Sequence, residues 1–155
     1  MLNQPVNNFT ATATSETKVQ LTDLAGQQVL LYFYPKDNTP GCTTESQDFR
    51  DLHDQFAAAN TVVFGVSRDS MRTHENFKAK HSFPFELISD TEETLCKQFD
   101  VIKEKNTFGK KHFGIERSTF LIDSKGVLRH EWRKVKVAGH AAEVLEAAQT
   151  LNTSN

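Results

Sequence analysis

The sequence predicts an α/β fold with a mixed central β-sheet flanked by helices, and three observations point to it. The runs at 28–34 ("QVLLYFY") and 61–66 ("TVVFGV") are nearly all apolar, as in strands covered on both faces. Segments with helical spacing of apolar residues lie between such runs. Towards the C-terminus, residues 117–123 and 127–133 read as two strands joined by "SKG", a natural hairpin turn, before a last helix. Buried strands interleaved with helices, closed by a hairpin, indicate an α/β sandwich.

Residues 10–20 ("TATATSETKVQ") alternate around a polar turn and predict an N-terminal β-hairpin. After the first buried strand, Phe49, Leu52, Phe56 and Ala59 recur at helical spacing, predicting one helix of about four turns from Thr43 onward. Ser70 precedes a polar helix with Phe77 facing inward, and "PFELIS" reads as a third strand. Residues 91–99 ("TEETLCKQF") predict a short helix with acidic residues in its first turn, where the helix dipole favours them. The stretch 103–112 ("KEKNTFGKKH") mixes lysine with Glu, Asn and Gly and has two readings, a solvated loop, which is favoured, or an anion-binding patch. In the last helix Val144, Leu145, Ala148 and Leu151 share one face, with His140 at its start.

At 155 residues the chain is expected to form a single domain, 1–155, able to bury roughly 70% of its unfolded surface without staples. Twelve Phe supply much of that core. A net charge of -2 gives no reason to expect nucleic acid as a partner. No run approaches the roughly 18–20 apolar residues of a membrane span, and the N-terminus has neither the basic start nor the apolar stretch of a signal peptide. Two cysteines do not make a disulfide framework, so a reducing compartment, most simply the cytoplasm, is expected. The six histidines form no compact ligand set; most read as surface or capping residues, no metal site is expected, and Trp132 reads as core.

The chemistry concentrates in "PKDNTPGCTTE", residues 35–45, where the first buried strand gives way to a helix. Core cysteines lie inside apolar runs, but Cys42 is flanked by turn formers and hydroxyls. The first N–H groups of a helix lack intrahelical partners, and its positive dipole end lowers a thiol pKa from about 8.5 toward neutral. Thr39 can aim a hydroxyl at the same point, and Gly41 lets backbone approach a small ligand. An activated thiolate is therefore expected, in preference to a structural cysteine capping a helix. "CTTE" lacks the second cysteine of a Cys-x-x-Cys pair.

Pro35-x-x-x-Thr39-x-x-Cys42 resembles the peroxiredoxin active-site pattern. The wider "FYPKDNTPGCTTESQDFRD" is similar to the subfamily called peroxiredoxin Q, or bacterioferritin comigratory protein. The likeness continues through "FGVSRDS", "FPFELISD", "GIERSTFLID" and "WRKVKVAGHAAEVLEAA", nearly the whole chain from Val6. It implies a thioredoxin-like fold and a thiol-dependent peroxidase acting on hydrogen peroxide and small organic hydroperoxides, with no cofactor. In that resemblance Cys42 is the nucleophile that becomes a sulfenic acid. Arg117 stabilises the thiolate and the peroxide oxygens, Thr39 hydrogen-bonds sulfur and peroxide, Pro35 shields the thiolate, and Glu45 orients Arg117. Arg117 alone would pass for a surface arginine. Thioredoxins and glutaredoxins place a proline before the strand corresponding to "RSTFLID"; here Glu116 and Arg117 stand there, which argues against a disulfide reductase.

The pattern departs from the subfamily at Gln47, where a resolving cysteine is often found, and "SMRTHENFKAKH" offers none either. Cys96 remains, with two readings: a small buried residue beside Leu95 and Phe99, which is favoured, or a resolving cysteine. The working expectation is a monomer whose sulfenic acid is reduced by an external thiol: thioredoxin, glutaredoxin or glutathione. The alternative is a non-catalytic redox sensor or peroxide-responsive binding protein.

Overall fold

The computed structural model describes residues 1–154; the last residue of the expected 1–155 domain lies outside them. Its element order is β1 (Thr10–Ala13), β2 (Thr17–Gln20), β3 (Gln28–Phe33), α1 (Pro40–Asp51), α2 (His53–Ala58), β4 (Thr61–Ser67), α3 (Met71–His81), β5 (Glu86–Ser89), α4 (Thr94–Gln98), β6 (Ile102–Thr107), β7 (Lys110–Ile115), β8 (Ser118–Ile122), β9 (Leu128–Trp132) and α5 (His140–Thr153). Seven strands form one sheet in the order β2-β1-β5-β4-β3-β8-β9. β3, β4 and β5 run parallel, while β1, β2, β8 and β9 pair antiparallel. This is the mixed sheet expected, in the thioredoxin-like arrangement, with the N-terminal hairpin on one edge.

Central β3 is buried along its whole length, and its alternation divides the core. Val29, Leu31 and Phe33 enter one cluster, with Ile88, Leu95, Cys96, Phe99 and Phe120. Leu30 and Tyr32, followed by Tyr34, enter the other, with Cys42, Phe49, Phe56, Phe77 and the apolar face of α5. Val144, Leu145, Ala148 and Leu151 are all buried there, as their spacing predicts. Partly buried Trp132 packs against the same cluster.

Three elements differ from expectation. The helix predicted from Thr43 begins at Pro40 and breaks at Leu52, which leaves the helical region at ψ 3. The break lets the Phe49 and Phe56 rings approach to 5.8 Å. The short helix starts at Thr94, so Glu92 and Glu93 fall outside its first turn. Negative charge reaches that helix end from Asp90 instead, whose carboxylate accepts from the Leu95 and Cys96 amides at 3.1 and 2.7 Å.

The supposed loop at 103–112 is a two-stranded ribbon, β6 paired with β7 from Ile102↔Ile115 to Thr107↔Lys110. Its outer residues face water on both sides, so no apolar alternation marks it in the sequence. The turn residues Phe108 and Gly109 both have positive φ, 52 and 80, the backbone of the tight hairpin turn usually made by Asn-Gly.

Candidate active site

β3 ends at Phe33, and the Tyr34 amide still donates to Val66 at 3.0 Å before the chain leaves the sheet. Asn38 takes a left-handed φ of 63, which its short polar side chain tolerates, and Thr39 is the extended N-cap of α1. Pro40 occupies the first turn, where its missing N–H costs nothing. Cys42 therefore sits in the first turn, as expected, and is only 1% exposed.

A buried network anchors the loop from below. The Tyr34 hydroxyl donates to Asp37 Oδ1 at 2.6 Å, and His74 Nδ1 meets Asp37 Oδ2 at 2.5 Å. His74 Nε2 faces the Ile88 carbonyl at 2.9 Å, and the Asp37 amide donates to Asp69, which also accepts from Ser67. His74 is fully buried, unlike the surface or capping placement expected for most of the histidines. Asp37, Asp69 and His74 bring ligand-type atoms within 4.8 Å of one another. Their bonds to Tyr34, Ser67, Ile88 and each other make them a hydrogen-bonded clamp on the loop. No local pattern marks it, because His74 lies 37 residues from Asp37 in the chain.

Arg117 arrives through sheet register. β8 pairs antiparallel with β3 and sets Ser118 opposite Phe33, so Arg117 emerges beside the loop that follows β3. Its Nη2 donates to Cys42 Sγ at 3.3 Å and its Nη1 to Glu45 Oε1 at 2.6 Å. One planar fork thus spans two residues one helical turn apart. A Cβ at Gly41 would come within 3.2 Å of Arg117 Nη2, so the glycine makes room for the guanidinium.

Glu45 is 1% exposed, and its Oε2 is buried with no hydrogen-bond partner among the described residues. Burial pushes its carboxyl up to about 7, against the pull of Arg117. Burial alone would lower the Arg117 pKa; Glu45 and Cys42 outweigh that and raise it. Nearby, burial and then Arg117 push His140 down to about 4, leaving a neutral imidazole bonded to the Thr119 hydroxyl at 2.8 Å.

The other expected residues are placed as follows. The Thr39 hydroxyl donates to the Lys36 carbonyl at 2.7 Å instead of to the Cys42 sulfur, leaving its lone pairs open. Pro35 is partly buried and lines a surface hollow with Lys36, Arg68, Asp69, Thr91 and Glu93. Gln47 reaches toward His81 Nδ1 at 3.4 Å. Cys96 is fully buried in the cluster on the opposite face of the sheet from Cys42, and both thiols are free. Burial and then Asp90 push the Cys96 thiol far up, toward the inert protonated form.

Lys105 went unnoticed in the sequence because it lay in the supposed loop. Its Nζ donates to the Ile115 carbonyl at 2.5 Å. Burial first, and then Arg117, lower its pKa, while Cys42 acts in the opposite sense. It therefore belongs to the electrostatic surroundings of the sulfur.

The model of the AhpC/TSA family matches residues 2–131. A protein of Xanthomonas campestris described as peroxiredoxin Bcp is 56% identical over 131 residues, covering 84% of this chain and 82% of its own. The Bacillus subtilis protein of the same description is 54% identical over 134 residues, covering 86% and 85%. Among solved structures, Xanthomonas campestris peroxiredoxin Q superposes with a TM-score of 0.92 at 49% identity, over 98% of both chains. Peroxidoxin BcpB of Mycobacterium tuberculosis gives a TM-score of 0.85 at 30% identity, over 97% of both.

Proposed function

The chain belongs to the AhpC/TSA family, in its peroxiredoxin Q branch, and from that premise we propose that Cys42 is the nucleophile of its peroxidase reaction. It is a thiol-dependent peroxidase. The observation that carries the assignment of Cys42 is the 3.3 Å hydrogen bond from Arg117 Nη2 to a sulfur nearly excluded from water. A guanidinium so placed faces the charge carried by the reacting sulfur and remains charged throughout the reaction.

In the proposed reaction the thiolate attacks one oxygen of a hydroperoxide. An S–O bond forms, the O–O bond breaks, and the departing alkoxide or hydroxide takes a proton to leave as alcohol or water. The sulfur is oxidised to a sulfenic acid and the peroxide reduced. Arg117 stabilises the negative charge as it moves from sulfur to oxygen. Thr39, with its proton committed to Lys36, accepts a hydrogen bond from the peroxide O–H. Pro35 limits water at the sulfur, and Glu45 positions Arg117. Hydrogen peroxide and small organic hydroperoxides fit so enclosed a sulfur.

Gln47 and the burial of Cys96 on the far side of the sheet favour an external thiol as reductant. One thiol condenses with the sulfenic acid, releasing water, and a second thiol frees Cys42 and leaves as disulfide. Thioredoxin, glutaredoxin and glutathione are the candidate donors, and the chain is proposed to act as a monomer. Stopped-flow mixing of reduced protein with peroxide tests the assignment: fast oxidation by the unaltered chain and none by Cys42→Ser is expected. A rate no faster than that of free cysteine refutes it. Sustained consumption of peroxide with dithiothreitol separates an enzyme from a redox sensor, which would oxidise without cycling.

A further inference from the structure

Among the described residues, the β6–β7 ribbon pairs with no strand of the main sheet. At its tip Phe108 is fully exposed, and Phe113 is 65% exposed. Phe108 also holds a φ of 52, a conformation that a bulky side chain adopts at a cost and that Asn would take more readily. Folding thus gains nothing from an aromatic side chain at this position.

Charge is unevenly placed on the ribbon. Residues 102–115 contain four lysines and one glutamate in a chain of net charge -2. Strand alternation and register set Lys103, Lys105, Thr107, Lys110 and His112 on one face, with Glu104, Asn106, Lys111 and Phe113 on the other, where Lys111 pairs with Glu104. The base of the cationic face lies next in the chain to the site: Lys105 bonds to Ile115, two residues before Arg117, whose Nη2 bonds to the Cys42 sulfur, and Arg68 Nη2 bonds to the Phe113 carbonyl at 3.4 Å. From the base pair Ile102↔Ile115 each strand runs about 20 Å to the Phe108 turn.

We propose that this ribbon is a docking arm for a protein reductant whose surface beside its reactive dithiol is acidic and holds an apolar hollow for Phe108. The proposal rests on the peroxidase reading above and names the partner of that site. Charge complementarity and continuity with the site favour this occupant, because the sulfenic acid needs a thiol delivered to Cys42. A small thiol has no use for an aromatic contact so far from the sulfur. An anionic membrane would also attract lysines with an aromatic tip, but would bring no thiol to the site.

Phe108→Asn and Lys110→Glu test it in the full chain. Asn-Gly is the favoured residue pair for this turn, so the Phe108→Asn protein should melt at or above the wild-type temperature. Peroxide turnover is measured with dithiothreitol, and separately with reduced thioredoxin and reduced glutaredoxin. Turnover with dithiothreitol should be unchanged in both variants. The KM for the protein reductant should rise roughly tenfold in Phe108→Asn and roughly threefold in Lys110→Glu, the latter difference shrinking as salt is added. Unchanged KM values overturn the proposal, as does failure of both protein reductants to support the unaltered chain. Reduced binding of Phe108→Asn to phosphatidylglycerol vesicles with an unchanged KM assigns the ribbon to a membrane instead. Absence of dithiothreitol-supported turnover in the unaltered chain fails the peroxidase reading itself.

Discussion

Replacing Glu45 by Gln removes a buried ionisable group while keeping an oxygen to accept from Arg117. In the folded chain the carboxyl holds its proton up to about pH 7, because burial outweighs the pull of Arg117; its ordinary value is 4.5. Between those values the native state binds more protons than the unfolded chain, so this group's contribution to stability falls as pH rises. Between pH 5 and pH 8 the loss is about 2–3 kcal/mol. The comparison belongs in a Cys42→Ser background, which removes the thiol proposed as nucleophile; Cys42 is not among the groups that shift Glu45. Urea unfolding at pH 5 and pH 8 then yields four free energies. The background protein should lose about 2–3 kcal/mol more over this interval than the protein that also carries Glu45→Gln. Equal losses would refute the view that Glu45 is a strained buried acid held by one arm of Arg117.

Arg117→Lys cannot span both Glu45 and the sulfur, and the rate with peroxide should fall roughly a hundredfold in stopped-flow, as for loss of one preorganised donor. Gly41→Ala places a methyl 3.2 Å from Arg117 Nη2. Because Ala favours helix, the melting temperature should hold or rise while the peroxide rate drops about tenfold, and an unchanged rate would show that Arg117 tolerates displacement. Cys96→Ala should leave turnover intact and cost about 1–2 kcal/mol in urea unfolding from lost packing. A Cys42–Cys96 disulfide in peroxide-treated protein, found by non-reducing mass spectrometry, would contradict that expectation.

Local chemistry made much of this protein legible in its sequence. The apolar run of β3, the turn formers after it and the helical spacing beyond are short-range signals, and they put Cys42 in the first turn of a helix. The face of α5 and the Ser70 cap, which accepts from the Thr73 amide at 3.2 Å, are equally local. The family pattern pointed to Arg117, but its contact with Cys42 joins residues 75 apart and exists because β8 pairs with β3 in one register. The Asp37–His74 clamp depends on α3 crossing beneath the loop, which no spacing encodes.

The two cysteines show the same division. Sequence could leave Cys96 as either core residue or resolving partner, since both readings need only a thiol near apolar neighbours. The sheet decided their placement, because side chains on opposite faces of a buried strand layer cannot meet without unfolding it. The β6–β7 ribbon escaped notice for a related reason: it is held by backbone pairing, and its outer side chains face water on both sides. Sequence alone pointed to Cys42 as the residue proposed to react and determined the kind of framework on which it stands. Tertiary structure decided what surrounds the sulfur, because charge, burial and distance at Cys42 come from chain segments that meet only in the folded state.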